Sequence, residues 1–183
     1  MKALFPIGLG LSLGGFILTV GGCATAPTTP IARDELKDNV GETLTRLKQE
    51  DPGFSDFLDR ADGYVIFPTV GKGAAGVGGA YGRGEVFERG RFVGYADISQ
   101  ATIGAQVGGQ SFSEVIAFET PFALQQFERG QVAFDANVSA VAVTSGAALS
   151  AKYEHGVAVF VEPQGGLMIE ASVGGQGFSF EPE

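Results

Sequence analysis

Between Gly63 and Phe118 the chain alternates strand-forming residues with glycine, and this pattern limits its fold more than any other feature. Tyr64-Val65-Ile66-Phe67, Val86-Phe87, Phe92-Val93-Gly94-Tyr95 and Val115-Ile116-Ala117-Phe118 are β-branched and aromatic runs of the kind that pack on a pleated surface. Between them glycine recurs at 71, 73, 76, 78, 79, 82 and 84, then at 104, 108 and 109. The chain holds 29 glycines among 183 residues, about twice the usual share of roughly 7%. Glycine inside a strand costs backbone entropy and packs no side chain. Its repetition fits strands that approach backbone to backbone, and equally a flat ligand lying against the main chain.

Helices flank this region. Thr29-Pro30 reads as an N-cap with proline at the first helical position. Ile31, Leu36, Val40, Leu44 and Leu47 then keep one apolar face, which core packing against a sheet accounts for better than a membrane surface, because the polar positions mix both signs of charge. Asp51-Pro52-Gly53 ends that helix. Asp51 caps a shorter one carrying Phe54, Phe57 and Leu58, with Gly63 placed to stop it. Pro68 reads as the end of the first strand, Ala74–Tyr81 as a second, and Arg89-Gly90 as a hairpin turn. Thr102–Val107 and Glu114–Phe118 read as further strands. Thr120-Pro121 repeats the cap signal and opens a short helix near 121–129. Val138–Thr144, Gly156–Val161, Leu167–Val173 and Phe178–Phe180 read as strands, with a turn at Glu162–Gly166. The segment from Val107 to Ser113 echoes Val173 to Ser179, as two similar hairpins would. The expected fold is α+β: a glycine-rich, mostly antiparallel sheet, curled or sandwich-like, with an N-terminal amphipathic helix.

Formal net charge is −9, and removing Lys2 with the first 22 residues makes it −10, which disfavours nucleic acid as a partner. Lys72, Arg83, Arg89 and Arg91 fall in one glycine-rich stretch, where they read either as solvated hairpin charges or as a candidate anion-facing group. Gly71-Lys72-Gly73-Ala74-Ala75-Gly76 matches the dinucleotide fingerprint as a string. The next residues, Val77-Gly78-Gly79-Ala80-Tyr81-Gly82, form helix poorly, and no βαβ unit surrounds them. The single histidine, His155, lies at an expected turn with no Gly-x-Ser-x-Gly elbow to serve. One histidine and one cysteine do not make a zinc site. The acidic pairs Glu50/Asp51 and Asp59/Asp62 belong to helix ends. The chain is expected to be a non-enzyme, with no metal and no cofactor.

The N-terminus carries Met1-Lys2, an apolar stretch to Val20, and then Gly21-Gly22-Cys23. This resembles a bacterial lipoprotein signal, whose small residues admit a peptidase and whose cysteine is acylated. Its four glycines and one proline suit a signal better than a membrane span of about 20 strongly apolar residues. Residues 1–22 are thus expected to be removed, Cys23 to carry lipid, 23–29 to form a tether, and 30–183 to form one domain. Ala24 after the cysteine resembles the pattern of lipoproteins sent to the outer membrane, facing the periplasm.

Several ordered motifs resemble the SYLF domain, a lipid-binding module. They are Ala61-Asp62-Gly63-Tyr64-Val65-Ile66-Phe67-Pro68, Gly76–Gly84, Gly104–Gln110, Phe118 through Ala123-Leu124 to Phe127, Asp135–Ser139, and Tyr153–Phe160. The resemblance covers most of residues 30–180 and implies phospholipid binding, with Lys72, Arg83, Arg89 and Arg91 as headgroup contacts. The implied partners are a membrane held through acylated Cys23, phospholipid, and envelope proteins. The rival reading is a structural or adaptor lipoprotein that engages an envelope protein and binds no lipid.

Overall fold

The computed structural model describes residues 24–131, 139–166 and 175–183. Cys23, the signal-like segment, residues 132–138 and the strand expected at Leu167–Val173 lie outside the described residues. Helix α1 spans Pro30–Glu50, and its cap is the expected one: Thr29 Oγ1 accepts from the Ala32 amide at 3.2 Å. Leu36, Val40, Thr43 and Leu47 are its buried residues, whereas Ile31 is 71% exposed. Each buried leucine or valine contributes about 1.5–3 kcal/mol of apolar burial. Helix α2 spans Gly53–Arg60. Asp51 reaches past Pro52 to accept from the Gly53 amide with Oδ1 at 3.0 Å. Gly63 does not stop this helix; Ala61 already has extended backbone, and Gly63 opens the first strand.

Strand β1 runs unbroken over Gly63–Glu88 and β2 over Arg91–Phe118, so the separate strands expected from the sequence are two long ones. They pair antiparallel from Gly63↔Phe118 to Glu88↔Arg91, around the expected turn, where Arg89 and Gly90 have φ of 50° and 76°. Pro68 does not end β1. The register shifts between Phe67 and Val70, a bulge that accommodates the missing amide. Its carbonyl accepts from Ser113 Oγ at 2.9 Å and Gln164 Nε2 at 2.6 Å. Helix α3, Pro121–Glu128, begins as expected, with Thr120 Oγ1 accepting from the Ala123 amide at 3.2 Å.

Strand β3 is short, Ala140–Ala142, and is followed by a one-turn helix, α4, Ala147–Ser150, which the sequence pattern did not suggest. Strand β4, Val157–Gly166, continues through the expected turn at Glu162–Gly166, because β2 pairs with it there across another register shift. Strand β5 spans Gln176–Pro182. The fold is α+β, with a sheet ordered β1-β2-β4-β3 and β5 paired to β2 as well. Every pairing between these strands is antiparallel except β3 with β4. The two ends of β2 take different neighbours: Gly94–Gln100 pairs with β5, and Gln110–Phe118 with β4.

One face of the sheet places Tyr64, Ile66, Val115, Ala117 and Phe160 beneath α1, α2 and α4. The opposite face gathers Val65, Phe67, Ile116, Phe118 and Val159 with Leu124 and Phe127 of α3. Val86, Ala96 and Ile98, from the turn end of the hairpin, join this second core. Both ends of the hairpin therefore share one interior. Gly84 shows how: a Cβ there would run into the Ile66 carbonyl. At Gly94 it would lie 2.5 Å from the Glu181 carbonyl oxygen. At these two positions glycine serves backbone approach.

The segment expected as a tether is docked on the fold. Thr25, Ala26 and Pro27 are buried. The Ala26 amide donates to Glu181 Oε2 at 2.9 Å, and Thr25 Oγ1 lies 3.0 Å from Ser179 Oγ. Arg83 Nη2 donates to the Ala24 carbonyl and Arg33 Nε to the Pro27 carbonyl, each at 2.9 Å.

Candidate functional site

The end of α2, the start of β1, the hairpin turn and the β2–α3 junction enclose an open cleft of about 400 Å³. Its charged lining is Asp59, Arg60, Asp62, Arg89 and Glu119, and Tyr64 supplies an aromatic wall. Local geometry fixes these groups. The Asp62 amide donates to the Phe118 carbonyl at 2.9 Å, and the Asp62 carbonyl accepts from the Arg89 amide at 3.0 Å. Gly63 permits the turn to come this close, since a Cβ there would lie 2.8 Å from the Phe87 carbonyl oxygen.

Arg89 donates to Asp62 Oδ1 from both Nε, at 3.2 Å, and Nη2, at 2.9 Å. The hydrogen bond and charge of Asp62 push the guanidinium still further toward its protonated form. Arg89 is 73% exposed, while the Asp62 side chain is only 10% exposed. Asp62 Oδ2 is buried and has no hydrogen-bond donor among the described residues. Tyr64 stacks on Phe87 with ring centroids 5.1 Å apart, and burial, then the charge of Asp59, pushes its hydroxyl upward in pKa. Tyr153, stacked on Phe57, is raised by burial and by Glu119 and lowered by Arg60. Two tyrosine hydroxyls thus feel the charges of this cleft.

The four basic residues suggested by the sequence do not form one patch. Arg83 is engaged by Asp97, its register partner on β2, at 2.8 Å, and by Ala24 and Tyr81. Arg89 lines the cleft. Arg91, at the same turn, lies 3.8 Å from Glu88 and is 80% exposed. Lys72 is on β1 opposite Gln110 and makes no ion pair among the described residues. The sequence reading missed Asp59, Arg60, Asp62 and Glu119 as site residues. In the sequence Asp59 and Asp62 read as helix-end charges, and Glu119 lies far along the chain from them; only the return of the hairpin turn onto Asp62 brings Arg89 to them.

His155 is exposed at a turn, with φ of 55°. Among the described residues, no group of three His, Cys, Asp or Glu side chains is arranged to hold a metal, and no helix is long and apolar enough to cross a membrane. A different buried carboxyl lies on β2. Glu114 is fully buried, accepts from Gln176 Nε2 at 3.0 Å with Oε2, and leaves Oε1 without a donor among the described residues. Burial raises its pKa to about 7, against the opposing effect of the Gln176 hydrogen bond.

No family model matches the chain. It is similar to beta cell expansion factor A of Aeromonas veronii, with 29% identity over 153 residues that make up 82% of this chain and 57% of that protein. The chain thus spans a little over half the length of this curated relative.

Proposed function

We propose that this chain is an envelope lipoprotein, anchored to the outer membrane through acylated Cys23, whose SYLF-like domain binds phospholipid in the periplasm without catalysing a reaction. The observation that carries the reading is that Ala61, Asp62 and Tyr64, from the opening motif of the SYLF resemblance, line the same cleft as Arg89. An arginine on a concave, partly apolar wall suits a phosphate-bearing headgroup, because its planar fork makes charge-assisted bonds to phosphate oxygens. Arg91 extends that cationic edge from the same turn, and its contact with Glu88 at 3.8 Å is loose enough to yield. Arg83 holds the docked N-terminal segment instead, and Lys72 belongs to another part of the hairpin.

The anchor is tested by growing cells that express the chain with labelled palmitate. Label should enter the protein and be lost in Cys23→Ser; label in the variant would refute the anchor. Lipid binding is tested by native mass spectrometry of the full chain extracted from membranes in a mild detergent. Retained phospholipid, lost when Arg89 is changed to glutamine, supports the reading. A dominant protein adduct on in-cell crosslinking, with no retained lipid, favours the adaptor role instead.

A further inference from the structure

We propose that the cleft takes a zwitterionic aminoalkyl phosphate, the chemistry of a phosphoethanolamine headgroup, by opening the Asp62–Arg89 ion pair and satisfying both of its halves. In its lipid form this rests on the phospholipid reading above; as ligand chemistry it rests on the cleft.

The charges of the cleft argue against a purely anionic ligand. Three carboxylates, Asp59, Asp62 and Glu119, face two guanidinium groups, Arg60 and Arg89. Arg89, which is 73% exposed, is already engaged by Asp62. An anion that draws Arg89 away leaves the Asp62 carboxylate, 10% exposed while the pair is closed, without its counter-ion. Losing that compensation for a largely covered carboxylate opposes binding.

A zwitterion removes that obstacle. Its phosphate takes the Arg89 guanidinium, and its ammonium takes the place Arg89 vacates beside Asp62. An ammonium carries three donors. It can serve Asp62 Oδ1 and also Oδ2, the buried oxygen without a donor among the described residues. Asp59 and Glu119 add negative potential for the amine, and Tyr64 offers an aromatic wall of the sort that favours cations. The exchange needs no movement of the main chain. The backbone of Arg89 is fastened by its amide to the Asp62 carbonyl at 3.0 Å, while its exposed side chain has room to rotate. The ion pair acts as a stand-in for the ligand's own pair of charges.

The test is calorimetric titration of the full chain in dodecyl maltoside at low salt with glycerophosphoethanolamine and with glycerophosphate. Native mass spectrometry after incubation with phosphatidylethanolamine or phosphatidylglycerol vesicles forms a second arm. Glycerophosphoethanolamine should bind at least tenfold more tightly than glycerophosphate. Asp62→Asn should erase this preference. Glu119→Gln, a change at an exposed position that leaves the core intact, should reduce it several-fold. Retention of phosphatidylethanolamine over phosphatidylglycerol identifies the lipid as the source of the group. Preference for the free headgroup with no lipid retained leaves this proposal standing and overturns the lipid-binding reading. Equal or tighter binding of glycerophosphate, or selective retention of phosphatidylglycerol, overturns this proposal while lipid binding survives. Binding of neither probe in either arm overturns both.

Discussion

Glu114 offers a measurement of what a buried carboxyl costs this fold. It is fully buried on β2, and its pKa is raised from 4.5 to about 7, chiefly by loss of hydration. Between these two values the folded protein holds a proton that the unfolded chain has released. Stability therefore falls as pH rises through that window and stays lowered above it. At 1.36 kcal/mol per pKa unit, the shift amounts to about 3 kcal/mol at pH 8. At pH 4.5 it leaves less than about 0.5 kcal/mol. Glu114→Gln removes the titration while nearly preserving shape. The new amide can still accept from Gln176 Nε2, and can donate to Gln176 Oε1, which is buried without a partner among the described residues. The variant should gain about 3 kcal/mol at pH 8 and almost nothing at pH 4.5. For a chain of this size that corresponds to a rise in Tm of roughly 6–12 °C at the higher pH. Thermal unfolding of both proteins at the two pH values, followed by far-ultraviolet circular dichroism, reads the difference. Contributions from the other titrating groups are common to both proteins and cancel. An equal change in Tm at both pH values, or a loss at pH 8, would refute the reasoning.

Gly84→Ala should destabilise by about 2–3 kcal/mol, because its Cβ meets the Ile66 carbonyl rather than a side chain that can move; urea unfolding checks this. Asp51→Ala removes the bond to the Gly53 amide and the 2.7 Å bond from the buried Ala148 amide to Oδ2. It should cost about 1–3 kcal/mol, with hydrogen exchange fastest to increase at Ala148. Arg46→Ala breaks a pair with Glu162 in which the arginine is 44% exposed, so its cost should stay near or below about 1 kcal/mol and shrink with salt.

The features legible in the sequence were those that neighbouring residues decide. Thr29-Pro30 and Thr120-Pro121 cap α1 and α3 because a threonine hydroxyl needs only the amide three residues on. Arg89-Gly90 turns the hairpin for a similarly local reason. Strand continuity is another matter. Pro68 and Pro163 look like breaks, yet β1 and β4 pass through them because β2 offers pairing across register shifts, and Ser113 and Gln164 occupy the Pro68 carbonyl. The site was legible only in Arg89. The fate of the cations turned on distant partners: Asp97 claims Arg83 from the facing strand, and Asp62 reaches Arg89 only because the hairpin returns to its own start. Neither the burial of Glu114 nor the uses of individual glycines could be read from spacing, since each depends on what the folded sheet places beside them.

The docked N-terminal segment gives the molecule a mechanical character. Ala24 is fastened to Arg83, Thr25 and Ala26 to the C-terminal strand, and Pro27 to the first turn of α1. Tension entering at Ala24 reaches β5 and β1 within four residues. Pulling the protein by that end would load the closing strand of the sheet through Thr25 and Ala26. The docked segment and β5, joined at Glu181, would yield together as a single mechanical unit.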